Sequence, residues 1–161
     1  MLFDALTALQ EWAPIAALRN SRWIYASVNA AHIVGIALLF GAIVPLDLRL
    51  MGWRRTVPIG TMARVLLPVA IAGLALALVA GLALFSVRAT KYAATGLFQL
   101  KMALLICAIT NALLLHRAVQ WEAHQAAVSV IPPRRLRVAG AVSIALWLSM
   151  IACGRMLAFV D

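Results

Sequence analysis

Four stretches of this chain stay apolar for about 20 residues each, the length at which a helix crosses the hydrocarbon of a bilayer. They run from 23 to 45, 65 to 86, 97 to 116 and 138 to 160. A helix that is apolar all round needs lipid or the interior of a large protein around it. With 161 residues in all, the chain is too small to bury four such helices in water. Composition agrees: 65% of the residues are hydrophobic and 12% charged, against about half and about a quarter in a soluble domain. The runs are too long and too continuous for the alternating strands of a membrane barrel. The expected fold is therefore all-α, a four-transmembrane-helix antiparallel bundle over residues 23–161. Short connections between runs make neighbouring helices antiparallel.

Residues 1–22 follow another pattern. Leu2, Phe3, Leu6, Leu9 and Trp12 recur at helical spacing, interrupted by Asp4, Gln10 and Glu11. This predicts a short amphipathic N-terminal helix lying in the membrane interface. Asp4 stands where a signal peptide carries basic residues, and no apolar core segment follows it. Asn20 and Ser21 are candidate caps for the first span. Pro45 is expected to end the first spanning helix, and Pro132 with Pro133 to break the third connection. Pro68 falls near the expected first turn of the second helix, where a missing N–H costs little. That second run is studded with small residues, including Ala70, Gly73, Ala77 and Gly81, which let helix backbones approach closely in lipid.

The net charge is +9, from 14 Lys and Arg against 5 Asp and Glu. The basic residues lie mostly between the apolar runs, where lipid headgroups and topology account for them. The expected partner is the lipid bilayer, with no nucleic acid. Arg49, Arg54, Arg55, Arg64, Arg117, Arg134, Arg135 and Arg137 fall in the first and third connections. Arg19, Arg22, Arg88 and Lys91 fall on the other side. The positive-inside rule places the first and third connections in the cytoplasm and both termini outside it. Trp23, Trp53, Trp121 and Tyr92 fit aromatic belts at the two interfaces, and Trp147 sits deeper.

The sequence holds no Gly-rich phosphate loop, no Ser/His/Asp set and no paired carboxylates, so an enzyme is not expected. The acids Asp4, Glu11, Asp47, Glu122 and Asp161 are all placed at or outside the membrane edges. Asp47 and Arg49, just after Pro45, are expected to cap and anchor a helix end. A proton relay through buried carboxylates is excluded on that placement.

What remains is a set of polar and soft residues within the spans. His32 lies roughly 13 Å into the first helix at about 1.5 Å per residue, and an ionisable group at that depth is a candidate functional residue. Asn29 shares its face. Lys101 and Arg155 lie near the same membrane edge. They either snorkel to the headgroups or form an anion-binding pair beside His32, suited to a carboxylate, a propionate or a quinone oxygen. Cys107 and Cys153 match His32 in depth, with Met156 nearer the surface. His, Cys and Met are soft ligands for copper(I) or, as His and Met, for haem iron, although Cys and Met also serve as ordinary filling between helices. Neither cysteine reads as part of a disulfide framework. His116 and His124 read as surface residues. His116 differs from His32 in depth by roughly 13 Å, so one haem cannot join the two.

The stretch His32-Ile33-Val34-Gly35-Ile36 resembles the first-helix pattern of the CopD-like bacterial membrane proteins linked to copper resistance. Ala72-Gly73-Leu74, then Thr90-Lys91-Tyr92, Phe98-Gln99-Leu100-Lys101 and Asn111 resemble the next pair of helices in that superfamily. Asp47-Leu48-Arg49 is similar to a motif that follows the first helix in a group of small uncharacterised four-helix bacterial proteins. The resemblance covers most of the chain. It implies a bacterial inner membrane, in which the positive-inside orientation puts both termini in the periplasm, and marks His32, Lys101 and Asn111. It implies copper handling or electron transfer, with copper or haem b as the cofactor. This chain has fewer helices than a full CopD protein and lacks a Met/His-rich external segment. Two functional classes follow: a metal- or redox-cofactor-handling membrane protein, or a non-catalytic anchor or accessory subunit for a membrane or periplasmic protein partner.

Overall fold

In the computed structural model, residues 2–54, 56–117, 132–157 and 159 are described. Arg55, Trp121, Glu122, His124 and Asp161, which the sequence places at membrane edges, lie outside the described residues. The described chain is helical with short connections and contains no strand. The helices are α1 (Leu2–Glu11), α2 (Ala13–Asn20), α3 (Arg22–Leu50), α4 (Ile59–Val87), α5 (Ala89–Ala94), α6 (Gly96–Arg117) and α7 (Arg134–Leu157). Four of them, α3, α4, α6 and α7, are long and apolar enough to cross a membrane. This is the architecture of a multi-pass membrane protein.

The long helices run alternately up and down. One end of the bundle carries α1, α2 and α5 and is called the amino-terminal end below. The other carries the α3–α4 turn and Arg134, Arg135 and Arg137, and is called the arginine-rich end. Along most of their length α3 and α4 lie against each other; α7 packs on both α3 and α6, and α6 makes no close backbone approach to α4.

Glycine explains the tight α3–α4 pair. A Cβ on Gly35 would lie 2.6 Å from the Ala77 backbone nitrogen, and one on Gly73 would lie 2.6 Å from that of Leu39. Only a residue without a side chain allows this approach. Leu39, Ala42, Ala70, Ala108 and Trp147 form the central core, with one or more residues from each long helix. A second cluster, with Leu50, Ile59 and Leu136, closes the arginine-rich end.

Several boundaries differ from the sequence expectation. Pro45 does not end α3, which continues through it to Leu50. Having no N–H, Pro45 leaves the Gly41 carbonyl without its helical partner, and other contacts hold the helix together across that gap. α3 stops instead at a glycine. Gly52 has φ 104°; its N–H bonds to the Arg49 carbonyl, and that of Trp53 to the Leu48 carbonyl, at 3.0 Å each. This is the Schellman arrangement, in which a left-handed glycine closes the last turn. Pro68 also lies inside its helix, because α4 begins at Ile59 rather than near residue 65.

The N-terminal segment is two helices rather than one, broken at Trp12, with Pro14 in the first turn of α2. They dock on the bundle: Ile15 and Leu18 pack with Val87. The Gln10 side-chain oxygen accepts hydrogen bonds from the backbone N–H and the hydroxyl of Thr90, both at 3.2 Å. Of the two candidate caps, Ser21 is the one used, its hydroxyl accepting from the Ile24 N–H. The helix α5 is absent from the sequence expectation. Tyr92 of α5 and Phe85 of α4 both stack on Phe98 of α6, with ring centroids 5.9 and 5.0 Å away.

Candidate functional site

His32 is on the α3 face that meets α4, one turn before Gly35. Its Nδ1 lies 2.8 Å from the Ala77 carbonyl oxygen. A carbonyl only accepts, so Nδ1 carries the proton and donates. In the neutral ring this leaves Nε2 with its lone pair. Gly81, one turn beyond Ala77, provides the slot for the ring: a Cβ there would lie 3.0 Å from Cε1 and 3.2 Å from Nδ1. The close helix pair therefore does two things. It brings a carbonyl within reach of the imidazole, and it fixes which nitrogen is left to accept. Histidine ligands of metals usually have this arrangement, one nitrogen tied down and the other basic and outward.

Lys101, half-buried on α6, lies within electrostatic reach of both His32 and Cys153. Gly154 of α7 makes room for it, since a Cβ there would sit 3.5 Å from Nζ. Residues of α3, α6 and α7 thus converge in the amino-terminal half of the bundle as an imidazole, an ammonium and a thiol.

The other sequence-predicted residues are placed elsewhere. Asn29 is exposed on α3, and Cys107 is exposed on α6. Arg155 and Met156 are exposed in the last turn of α7, where the Arg155 guanidinium lies 4.8 Å from the centre of the Phe159 ring. Asn111 is toward the other end of α6, its side-chain N–H donating to the Ala139 carbonyl at 3.1 Å. Among the described residues, no three His, Cys, Asp or Glu side chains gather as a metal-binding group. The copper set of His32, Cys107, Cys153 and Met156 is therefore not assembled.

A second polar cluster, near the arginine-rich end, was not expected. Asp47 is buried within the protein at 3% exposure. Because α3 runs on past Pro45, Asp47 is still helical and faces inward, one turn after Ile43. The Ser143 hydroxyl of α7 is hydrogen-bonded to its carboxylate. Its Oδ2 is buried without a hydrogen-bond partner among the described residues. Gly140 lets α7 come this near: a Cβ there would lie 2.9 Å from the Asp47 carbonyl oxygen. Asp47, Ser143, Asn111 and His116 share a cavity of about 50 Å³ with apolar side chains of α3, α4 and α6. Arg49, 1% exposed, turns to the α3–α4 connection instead, where Nε donates to the Val57 carbonyl at 2.7 Å. The sequence signal for Asp47 was its spacing from Ile43 and Leu46, which continues the helical face if Pro45 is not read as a stop.

Set against known proteins, the chain matches no family model, no curated protein and no solved structure.

Proposed function

We propose that this chain is a bacterial inner-membrane protein that holds a redox cofactor in the amino-terminal half of its bundle. His32 is its one protein ligand and Lys101 its anion partner. The observation that carries this reading is the His32–Ala77 hydrogen bond, which fixes the ring and leaves Nε2 to bind. Haem b fits these residues better than copper. A porphyrin brings four of the iron donors itself and asks the protein for as little as one imidazole. Its propionates are the anions that an ammonium such as Lys101 pairs with. Copper(I) takes two or more soft ligands from the protein, and the soft side chains here are dispersed. The likeness to CopD-like proteins in His32, Lys101 and Asn111 supports the redox reading in general terms. Of those three residues, His32 and Lys101 are the two that lie together.

The test is the visible spectrum and metal content of protein purified in mild detergent. The expected result is a Soret band that is lost in His32→Ala and weakened in Lys101→Ala. Colourless protein after expression with added haem precursor overturns the reading. So does a His32→Ala variant that keeps the full spectrum.

One observation favours a second reading, a non-catalytic anchor or accessory subunit. Among the described residues, the close backbone approaches of α6 are to α7 and the short α5, and Ile106, Leu113 and Leu114 are exposed along it. A colourless protein that co-purifies with a stoichiometric membrane or periplasmic partner would support this reading over the first.

A further inference from the structure

The Asp47 cluster lies at the opposite end of the bundle from His32, and the redox reading makes no use of it. A buried carboxylate is costly unless it is paired, hydrogen-bonded or neutralised. Here the Ser143 hydroxyl supplies one hydrogen bond, and among the described residues Oδ2 has no hydrogen-bond partner. The charged and titratable groups around it are few. On α6 there is His116, exposed and lining the same cavity. On α3, Arg49 is turned to the Val57 carbonyl. On α7, Arg134 and Arg135 line a separate open depression that also includes Asn111. From α4 the cavity receives Leu67, and Arg64, one turn away, is exposed.

The cavity has room for one or two waters, since a water fills about 30 Å³ in the liquid and needs two to four polar partners. Asp47, Ser143, Asn111 and His116 supply those partners. The Asn111 amide is already oriented: its N–H binds the Ala139 carbonyl, which leaves its oxygen as an acceptor.

From this geometry we infer that Asp47 is a proton-binding site of the membrane domain, reached from the arginine-rich side through the cavity it shares with Ser143, Asn111 and His116. Loading moves a proton from a hydronium at the cavity mouth onto Oδ2, giving neutral carboxylic acid and water. Unloading returns it to water by the same route. His116 stands at the mouth and passes or accepts the proton there. Asn111 and Ser143 position the water.

The test uses the full-length protein in vesicles of phosphatidylethanolamine and phosphatidylglycerol. Infrared difference spectra are taken between acid and alkaline buffers, for wild type, Asp47→Asn and the exposed-acid control Asp4→Asn. A protonated-carboxyl band that disappears on alkalinisation is expected in wild type and in Asp4→Asn, and is expected to be missing in Asp47→Asn. Wild-type protein alone gives a second measurement if the Asn variant fails to fold. A hydrophobic carbodiimide, which reacts with protonated carboxyls, should label the peptide containing Asp47. That labelling should fall about tenfold per pH unit above the midpoint.

A carboxyl band that persists at every pH overturns the proposal, because the proton then never leaves. Absence of both band and labelling at acid pH overturns it as well. Labelling that sodium suppresses at constant pH also overturns it, by making this a metal-cation site. The visible spectrum of Asp47→Asn is recorded on the same sample. Failure of the haem reading and failure of this one are therefore separate results.

Discussion

Gly73 and Gly35 show how far a single missing atom determines this structure. Each lies where a Cβ would be 2.6 Å from a backbone nitrogen of the facing helix, so the neighbour cannot yield by rotating a side chain. Gly73→Ala should therefore destabilise the domain by about 1–3 kcal/mol, the usual cost of overpacking. Gly41, with nothing within 4 Å of its added Cβ, is the control, and Gly41→Ala should leave stability unchanged or slightly raised. Thermal unfolding in detergent micelles measures both, and equal melting temperatures for the two variants would count against the close contact. His32 was legible in the sequence because an ionisable side chain inside an apolar run stands out by itself. Its tautomer was not, because that depends on a carbonyl 45 residues away. Asp47 was misplaced for a local reason. Two residues after a proline, it was read as lying past a helix end, and burial by α7 leaves no mark within α3.

Among the elements, the apolar runs identified all four long helices, since length and hydropathy are properties of the run itself. Their ends were less legible. Both prolines expected at or near helix ends lie within helices, where packed neighbours stabilise the interrupted turn. The true stop for α3 is Gly52, followed by a connection held from inside the bundle by Arg49. That side chain makes a hydrogen bond from a charged donor to the Val57 carbonyl, a type of contact worth about 1.5–3 kcal/mol. Arg49→Ala should loosen residues 51–58 and speed tryptic cleavage after Arg54. Unchanged cleavage would mean that the connection is held by other contacts. The docking of α1 and α2 could not be read from their amphipathic pattern. A membrane surface and a helix end offer the same apolar face, and the choice is made by Gln10 and Thr90, which lie far apart in sequence.

For the whole molecule, the uneven distribution of basic residues is the argument for the orientation expected from the sequence, with both termini outside the cytoplasm. Trp23 and Trp53, at opposite ends, are both exposed and each has an arginine over its ring, as interfacial anchors do. The two native cysteines can be replaced by serine and single cysteines introduced at Thr56 and Thr95. A membrane-impermeant maleimide applied to intact spheroplasts should label position 95 and spare position 56 until the membrane is opened. The reverse pattern would invert the topology and place the mouth of the Asp47 cavity outside the cell. The packing order was not legible in the sequence, because small residues mark a close contact without naming the helix on its far side. The order has a mechanical consequence. α3 and α4, locked backbone to backbone, behave as one stiff beam. α6 makes its close backbone approaches to α7 and α5 and meets the beam through side chains such as the Phe85–Phe98 stack, so among the described spanning helices it is the cheapest to displace. Asn111 and His116 ride on α6, whereas Asp47 is fixed to the beam. A small swing of α6 would therefore open or shut the gap between them like a valve on a rigid seat.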